Sequence, residues 1–336
     1  MARKYWQIAA ESKGREYADE FILFGMAFVG GNDQCATMAT VDAGDVILLK
    51  RGLSKVVAVG EVVERNGKHG GDGDKQWLRD FDGWDLRSYC YVDWRVPENP
   101  VRTEGLTRAT IQQILQSEHK AIGDQLLQLP VKPFSPEPPQ AEAVTDDEIL
   151  RFLIAEGLRP SAADDLTDTF RRIRLLAKYY YDECEDKWDE IREHETRTFL
   201  IVPLLLALGW AEQQLKIEFP AGGGRGRVDT VCFSRPFHRK DKECVALIEA
   251  KAFSSGLYYA VDQAKRYAQD FPSCTALVVS NGYCYRAYRR TEAGIFSERL
   301  SAYLNILSPT KAYHLDPVNV GGALDVLRLL MPISLR

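Results

Sequence analysis

The 336-residue sequence lacks several patterns that define common protein classes. Its seven cysteines form no C-x-x-C pair and its five histidines form no H-x-x-x-H pair, so the usual zinc-site spacings are absent. No G-x-x-x-x-G-K-[ST] string is present, which excludes a P-loop motor within this chain. The G-x-S-x-G string of a hydrolase nucleophile is missing as well.

Long hydrophobic runs are also missing. The longest apolar stretch, from Phe199 to Trp210, is shorter than the roughly 20 residues that cross a membrane. No apolar signal region follows Arg3 and Lys4. We therefore expect a cytoplasmic protein that has no membrane partner and keeps its cysteines reduced.

Charge is unevenly distributed along the chain, whose formal net charge is −5. Residues 137–195 carry 17 acidic and 8 basic side chains, a balance of −9. Residues 196–336 carry 12 acidic and 18 basic side chains, a balance of +6. This basic C-terminal region permits contact with a phosphate backbone, although it does not require it.

A proline-rich stretch at 129–144 divides the sequence. Because proline fixes φ and removes amide donors, we interpret this stretch as an extended linker. It separates a domain at 1–128 from a helical segment at 145–185 and a second domain at 186–336. Thr145 to Glu148 matches a capping box, which predicts a helix beginning there.

The region before the linker contains short β-like runs separated by turn signals. Residues 45–50 and 56–63 are joined by Arg51-Gly-Leu-Ser54, which predicts a hairpin. Further strands are predicted at 5–9, 21–29 and 89–94, and one helix at about 108–127. Closely spaced strands with few helices favour a small β-barrel.

The region after the linker changes from helices to alternating strands and helices, which favours an α/β core with a mixed sheet flanked by helices. The predicted helices cover 146–156, 163–181, 186–208 and 257–269, and the predicted strands cover 214–219, 227–233, 245–250, 275–280 and 283–288.

Three residues in these strands carry the most chemical information: Asp229, Glu249 and Lys251. Glu249 and Lys251 are two apart in one strand and therefore project to the same face. If the strands at 227–233 and 245–250 pair, Asp229 comes alongside Glu249. Two adjacent carboxylates repel each other unless a cation neutralises them, and their oxygens suit Mg²⁺. A lysine beside that metal could orient a water for phosphodiester hydrolysis.

An acid followed about twenty residues later by E-x-K resembles the PD-(D/E)xK nuclease superfamily. The segment from Glu195 through Trp210 looks like the opening helix of restriction-enzyme R-subunit-type nucleases, where a helical glutamate faces the metal; Glu193 is a competing candidate. Gln263 and Tyr267 are similar to the Q-x-x-x-Y motif of that branch and share one helix face. Val228 replaces the proline that usually precedes the first acid.

The resemblance implies a restriction-endonuclease-like fold and assigns roles to its motif residues. Asp229, Glu249 and the Ala250 carbonyl would hold Mg²⁺, for which Mn²⁺ could substitute. Lys251 would position the attacking water, and Glu195 would support a metal-bound water. Gln263 and Tyr267 would orient the DNA strand. Backbone contacts are expected from Arg225, Arg227, Lys265 and Arg266, although the glycine-rich loop around Arg225 is equally explained as a flexible turn.

The first domain resembles a PUA-like barrel of the EVE type. The resemblance rests on Tyr5-Trp-Gln-Ile8, Gly44-Asp-Val-Ile-Leu-Leu-Lys50, Val59-Gly-Glu-Val62 and Tyr91-Val-Asp-Trp94. Members of that family hold a modified nucleobase in an aromatic-walled pocket, and stacking repays the cost of flipping a base. The expected pocket residues are Trp6, Phe81, Trp84 and Trp94, with core packing as the alternative for each.

Together these patterns predict a modification-dependent DNA endonuclease, similar to type IV restriction enzymes, that acts against phage. Its partner would be double-stranded DNA carrying modified bases, cut without nucleotide hydrolysis by this chain. Cutting both strands needs two active sites, so a homodimer is expected. Two alternatives stay open: a nucleic-acid-binding protein with a catalytically silent nuclease fold, and an RNA-directed protein.

Overall fold

The computed structural model describes residues 3–183, 190–221, 226–238 and 243–332. The chain divides into two compact units, Met1–Glu137 and Pro138–Arg336. The division falls inside the proline-rich stretch.

The first unit is rich in β-strands. Its helices are α1 (Ala18–Phe24), α2 (Asn32–Met38) and α3 (Ser117–Leu126), with a 3₁₀ turn at Gln76–Arg79. Its strands are β1 (Tyr5–Ala9), β2 (Glu11–Ser12), β3 (Arg15–Glu16), β4 (Met26–Val29), β5 (Val46–Arg51), β6 (Lys55–Val62), β7 (Gly70–Asp72), β8 (Ser88–Arg95), β9 (Val101–Arg102) and β10 (Ile111–Gln113).

The main sheet of this unit follows the order β10-β1-β5-β6-β8-β4, with β7 added to β8 and β9 added to β6. The pairing of β1 with β5 is parallel, and the others are antiparallel. The hairpin of β5 and β6 around Gly52 confirms the sequence prediction. The unit is therefore a β-rich fold with short helices.

Two sequence predictions in the first unit are wrong. The apolar run at 21–29 is not one strand, because Gly25 adopts a left-handed conformation with φ of 59° that ends α1 before β4 begins. The helix expected at 108–127 is shorter, since its first part forms β10 and pairs with β1. In the first case the turn at Gly25 interrupts the apolar run, and in the second the pairing of β10 with β1 takes residues 111–113 out of the predicted helix.

The proline-rich stretch has no regular secondary structure from residue 130 to 142. Its first half nevertheless lies on the first unit: Lys132 N donates to Trp94 O, Ser135 N donates to Leu23 O, and the Phe134 ring lies 3.7 Å from the Arg65 guanidinium carbon. Residues 132–135 are therefore docked on the first unit, whereas the sequence predicted an extended linker.

The second unit combines helices with one mixed sheet. Its helices are α4 (Asp146–Ala155), α5 (Ala163–Glu183), α6 (Glu193–Thr196), α7 (Val202–Ala207), α8 (Ala260–Ala268) and α9 (Ala323–Leu330), with 3₁₀ turns at Pro160–Ala162 and Glu212–Gln214. Its strands are β11 (Leu215–Pro220), β12 (Arg227–Phe233), β13 (Cys244–Ala250), β14 (Ala276–Ser280), β15 (Cys284–Arg289) and β16 (Ala302–Asn305).

The six strands pair in sequence order, from β11 to β16. Among the described strands of this sheet, only the pairing of β13 with β14 is parallel, and α8 forms the crossover between them. Each residue of β13 is buried, which is expected for a central strand covered on both faces. The sequence did not predict β16 or α9, and the capping box at Thr145 and Glu148 is confirmed at the start of α4.

The helix predicted at 186–208 is not continuous, and its residues 186–189 lie outside the described part of the chain. Short α6 is followed by a π-helical turn at Arg197–Ile201 and then by α7, with Pro203 in the first turn of α7. Single π turns occur frequently at functional sites. Across the described ranges, none of the helices has both the length and the apolar character needed to cross a bilayer.

Candidate functional site

The first feature of the site is the register of β12 and β13. Thr230 pairs with Ile248 in this antiparallel ladder, so the next position toward the end of the ladder brings Asp229 opposite Glu249. The Ala250 amide donates to Asp229 Oδ2 over 2.8 Å, which fixes one side of that carboxylate. The strand pairing expected from the sequence is therefore present, and the two acids lie on neighbouring strands.

Glu249 is the most deeply buried acid of the group, with 2% of the residue exposed. Its Oε1 accepts from Lys251 Nζ at 3.0 Å, whereas Oε2 has no hydrogen-bond partner among the residues that the structure describes. Burial raises the pKa of Glu249 to about 7; Lys251 opposes this rise, and the neighbouring charge of Asp229 adds to it. This carboxylate therefore lacks part of the compensation that a buried charge requires.

Lys251 lies between two glutamates. Its ammonium contacts Glu249 Oε1 at 3.0 Å and Glu193 Oε1 at 3.2 Å. Burial by itself would lower the pKa of Lys251, but the negative charges of Glu249 and Glu193 outweigh it and raise the pKa. The side chain is therefore a positive charge at neutral pH and supplies hydrogen-bond donors.

The structure distinguishes the two glutamates that the sequence left in competition. Glu193 belongs to the cluster through Lys251, and half of its side chain is exposed. The carboxylate of Glu195 instead accepts from the Arg192 amide at 3.0 Å, at the start of α6. Glu195 was expected to face the metal, but its observed contact is that of a helix cap.

Arg197 is a site residue that the sequence reasoning missed. It is 3% exposed, and its Nη1 donates to Asp229 Oδ1 at 2.9 Å. Its Nη2 contacts Glu218 Oε1 at 2.9 Å and His194 Nδ1 at 3.2 Å. The available signal was an arginine close to the start of the apolar stretch Phe199 to Trp210, because an arginine that is buried there must find acceptors.

The charge balance of Asp229 follows from these neighbours. Burial raises its pKa, the hydrogen bond from the Ala250 amide lowers it, and Glu193 raises it again. Lys251 and Arg197 lower it further, but the net direction is upward. Both acids therefore hold protons more tightly than free carboxyls do, as expected for neighbouring acids that lack a sufficient counter-charge.

The donor set fits a cation that is bound by few protein ligands. No group of three or more His, Cys, Asp or Glu within the described ranges is arranged to hold a metal ion. Mg²⁺ commonly takes one or two carboxylates and keeps several waters, so Asp229 and Glu249 suffice in number. The unpaired Oε2 of Glu249 is the oxygen that such a cation would satisfy. The carbonyl ligand expected from Ala250 stays a prediction.

Gln263 and Tyr267 lie on α8 and contact each other, with Gln263 Nε2 donating to Tyr267 Oη at 3.1 Å. The Tyr267 hydroxyl lies against Gly226, where a Cβ would come within 2.8 Å of it, and Gly226 has φ of 118°. The pair therefore contacts the turn that leads into β12. Neither the hydrogen bond between Gln263 and Tyr267 nor the contact of Tyr267 with Gly226 involves Asp229 or Glu249.

The expected backbone-binding residues have different environments. Arg225 lies outside the described residues. Arg227 is mostly exposed and donates to the Glu218 carbonyl at 3.0 Å. Arg266 is exposed, while Lys265 is paired with Glu298 at 2.8 Å. Of the three described residues, Arg227 and Arg266 are thus the two whose exposure suits contact with a ligand.

The aromatic residues expected to line a base pocket belong mostly to the core of the first unit. Trp94 is 1% exposed and donates to Met26 O, and Trp6 is buried and donates to Asp45 Oδ2. Phe81 is buried against other rings. Only Trp84 is half-buried, with the Arg15 guanidinium carbon 4.1 Å from its ring centroid. Trp6, Phe81 and Trp94 are therefore corrected to core residues.

A cavity of about 260 Å³ lies elsewhere in the first unit, beside α2, β7 and β8. Its lining includes the polar residues His69, Asp72 and Ser88 as well as Met38 and Tyr89. No sequence pattern predicted this cavity, because its residues come from three separate segments. It offers both apolar surface and hydrogen-bonding groups to a small ligand.

One part of the second unit is similar to a known protein family. Residues 192–300, about a third of the chain, match the family model described as type I restriction enzyme R protein N terminus. No curated protein and no solved structure matches the chain. The matched range contains Glu193, Arg197, Asp229, Glu249 and Lys251. The acidic cluster of β12 and β13 therefore lies in a restriction-enzyme-like region.

Proposed function

We propose that the second unit is a Mg²⁺-dependent nuclease of the PD-(D/E)xK type that hydrolyses phosphodiester bonds in DNA. The observation that carries the proposal is the buried, half-satisfied carboxylate of Glu249 beside Asp229 and Lys251, within a restriction-enzyme-like region. A buried acid without full compensation is unfavourable in a merely structural role. Such groups are concentrated at functional sites.

In this proposal Asp229 and Glu249 hold the cation. When bound, Mg²⁺ supplies positive charge that stabilises the developing charge on the phosphate and makes an attacking water more acidic. The protein fixes the two carboxylates through the Ala250 amide, Arg197 and Lys251. Because these groups are in place before the substrate binds, little reorganisation is needed during the reaction.

Lys251 acts as a cation in this scheme. Its pKa is raised by Glu249 and Glu193, against the effect of burial, so it does not accept a proton from water at neutral pH. Its ammonium donates hydrogen bonds that orient the attacking water or a phosphate oxygen. Glu193, the second carboxylate on this ammonium, takes the supporting role that the sequence assigned to Glu195.

For the first unit we propose a PUA-like, EVE-type reader of modified bases, so that the whole protein restricts modified DNA. The cavity beside α2 supports this role, because an extruded base needs apolar contact together with edge hydrogen bonds. The pocket then involves His69 and Tyr89, with Trp84 the remaining candidate from the sequence. A homodimer would supply the two active sites that a double-strand break requires.

Matched DNA duplexes that differ only in their cytosines test both parts. They would carry cytosine, methylcytosine, hydroxymethylcytosine or glucosylated hydroxymethylcytosine, and would be incubated with Mg²⁺ or with EDTA. We expect Mg²⁺-dependent cleavage of one modified duplex, loss of cleavage in Glu249→Gln, and full cleavage in Glu212→Gln, which alters an exposed acid of the same unit. His69→Ala should reduce discrimination between duplexes while leaving the cutting rate at saturating DNA intact.

Each failure identifies a different part of the proposal. Equal cutting of all duplexes would remove the reader role but keep the nuclease. Binding without any Mg²⁺-dependent cutting would favour a nucleic-acid-binding protein with a silent nuclease fold. Preference for modified RNA over DNA in a competition assay would favour the RNA-directed alternative.

A further inference from the structure

Arg197 is an unusual residue for its surroundings. It lies in the π-helical turn between α6 and α7, flanked by buried Thr196 and Leu200, and it is itself 3% exposed. A guanidinium so deeply buried is costly unless acidic or polar acceptors surround it. Its acceptors are Asp229 Oδ1, Glu218 Oε1 and His194 Nδ1. No described residue forms a hydrogen bond with its Nε, so the contacts of both Nη atoms carry the interaction.

Glu218 is placed to complete this arrangement. It lies opposite Asp229 in the β11–β12 ladder, between the pairs Ile217–Thr230 and Phe219–Val228. Its backbone has φ of 51°, a left-handed conformation that is uncommon for a residue with a side chain. The carboxylates of Glu218 and Asp229 both contact the Arg197 guanidinium. The two acids therefore share the neutralisation of its positive charge.

Asp229 is consequently held from two sides. Arg197 takes Oδ1 and the Ala250 amide takes Oδ2, each over a distance below 3 Å, at 2.9 and 2.8 Å. A carboxylate has about four acceptor positions, so each oxygen keeps one for a further ligand. The Asp229 side chain is thus held in one orientation while acceptor positions stay open, so it can bind a ligand without first reorganising.

We propose that Arg197, supported by Glu218, is a positioning residue that orients Asp229 for the divalent cation. The inference rests on the proposed metal site and extends it to a residue of another element. Arg197 does not contact the metal or the substrate in this role. It sets the direction of the Asp229 carboxylate, and its substitution should weaken metal binding more than it weakens the fold.

The test measures Mn²⁺ affinity by electron paramagnetic resonance, alongside the melting temperature, in the full-length protein. Arg197→Lys keeps the charge but loses the two-pronged contact, and we expect about tenfold weaker Mn²⁺ binding. Glu218→Gln alters a half-exposed side chain, preserves the backbone contact with Arg227, and should weaken Mn²⁺ binding severalfold without unfolding. Arg174→Lys is the matched control, because Arg174 also pairs with an aspartate, Asp146.

We expect the Arg174→Lys protein to melt earlier while binding Mn²⁺ normally. Normal Mn²⁺ affinity in both Arg197→Lys and Glu218→Gln would overturn the inference, as would losses of affinity that merely follow the melting temperature in all three variants. If the wild type binds Mn²⁺ but cuts no DNA, the nuclease proposal fails while the effect of Arg197 on affinity still stands. If the wild type cuts DNA and Arg197→Lys binds Mn²⁺ normally, only the role of Arg197 fails. A wild type that binds no Mn²⁺ would overturn both.

Discussion

Lys251 Nζ lies 3.0 Å from Glu249 Oε1, while Oε2 of the same carboxylate has no hydrogen-bond partner within the described part of the chain. One oxygen of a buried acid is thus compensated by a permanent cation, and the other is available. Replacing Lys251 removes the positive counter-charge and leaves the buried carboxylate in place, whereas replacing Glu249 removes the negative charge itself. The two substitutions should therefore have different effects.

Lys251→Met should abolish most cleavage. The substitution keeps a side chain of similar length but removes the ammonium that contacts Glu249 and Glu193. We expect the cleavage rate to fall by about 100-fold or more, a typical cost for losing an aligned donor at a reacting centre. Single-turnover cleavage assays measure this, with the exposed Lys178→Met as control. A Lys251→Met enzyme as fast as the wild type would contradict the assigned role.

Glu249→Gln should flatten the pH dependence of stability in the metal-free protein. The pKa of Glu249 is about 7 in the folded protein and 4.5 in its ordinary state. Because the folded value is higher, the stabilising contribution is complete below pH 4.5 and is lost as the pH rises through about 7. The complete loss is on the order of 3.5 kcal/mol, because the folded pKa is about 2.5 higher and each pKa unit corresponds to about 1.4 kcal/mol.

Urea denaturation in EDTA at pH 5 and pH 8 measures this difference. The wild type should lose more stability than Glu249→Gln between the two values. Identical losses in the two proteins would show that Glu249 titrates normally.

Substitution of the two neighbouring glutamates should separate catalysis from capping. Glu193→Gln removes a carboxylate from the Lys251 ammonium, and we expect cleavage to fall about tenfold with little change in stability. Glu195→Gln weakens the acceptor for the Arg192 amide, which should cost about 1 kcal/mol of stability and leave cleavage nearly unchanged. Rate measurements combined with thermal melts distinguish them. A loss of cleavage in Glu195→Gln but not in Glu193→Gln would restore the supporting role that the family resemblance implied for Glu195.

Two tryptophans of the first unit should respond very differently to truncation. Trp94→Ala removes a fully buried ring and its hydrogen bond to Met26 O, so we expect a loss of about 3–5 kcal/mol. Trp84→Ala removes a half-buried ring over Arg15 and should cost only about 1 kcal/mol. Denaturation followed by far-UV circular dichroism avoids the altered fluorescence. If both substitutions lowered the free energy of unfolding by a similar amount, Trp84 would be as much a core residue as Trp94.

Local patterns predicted much of the second unit correctly. The strand at 227–233 is observed within those bounds, and the pairing of β12 with β13, which the sequence argument took as a condition, is present. Alternation along the chain also placed Glu249 and Lys251 on one face, and they are observed in contact. Side-chain direction alternates along a strand with a fixed period of two, so it can be predicted without knowing the remaining fold. The capping box at Thr145 is similarly local and therefore readable.

Aromatic residues of the first unit were harder to interpret. A tryptophan in a strand has the same local pattern whether its ring faces the core or a ligand, and burial is decided by what packs on it. Trp6 and Trp94 proved to be core residues, while the cavity is lined by His69, Ser88 and Tyr89. No spacing in the chain connects α2, β7 and β8, so this concave surface could not be predicted.

The sequence by itself determined that Glu249, in β13, and Lys251, one residue beyond the end of β13, project to the same face. It determined this because side-chain direction alternates with a geometry that each residue carries locally. Only the tertiary structure decided that Arg197 reaches Asp229, that Glu193 rather than Glu195 reaches Lys251, and that Glu249 keeps one oxygen unpaired. Those outcomes depend on how α6 and the π-helical turn pack against the sheet, and packing is set by contacts between segments distant in the chain.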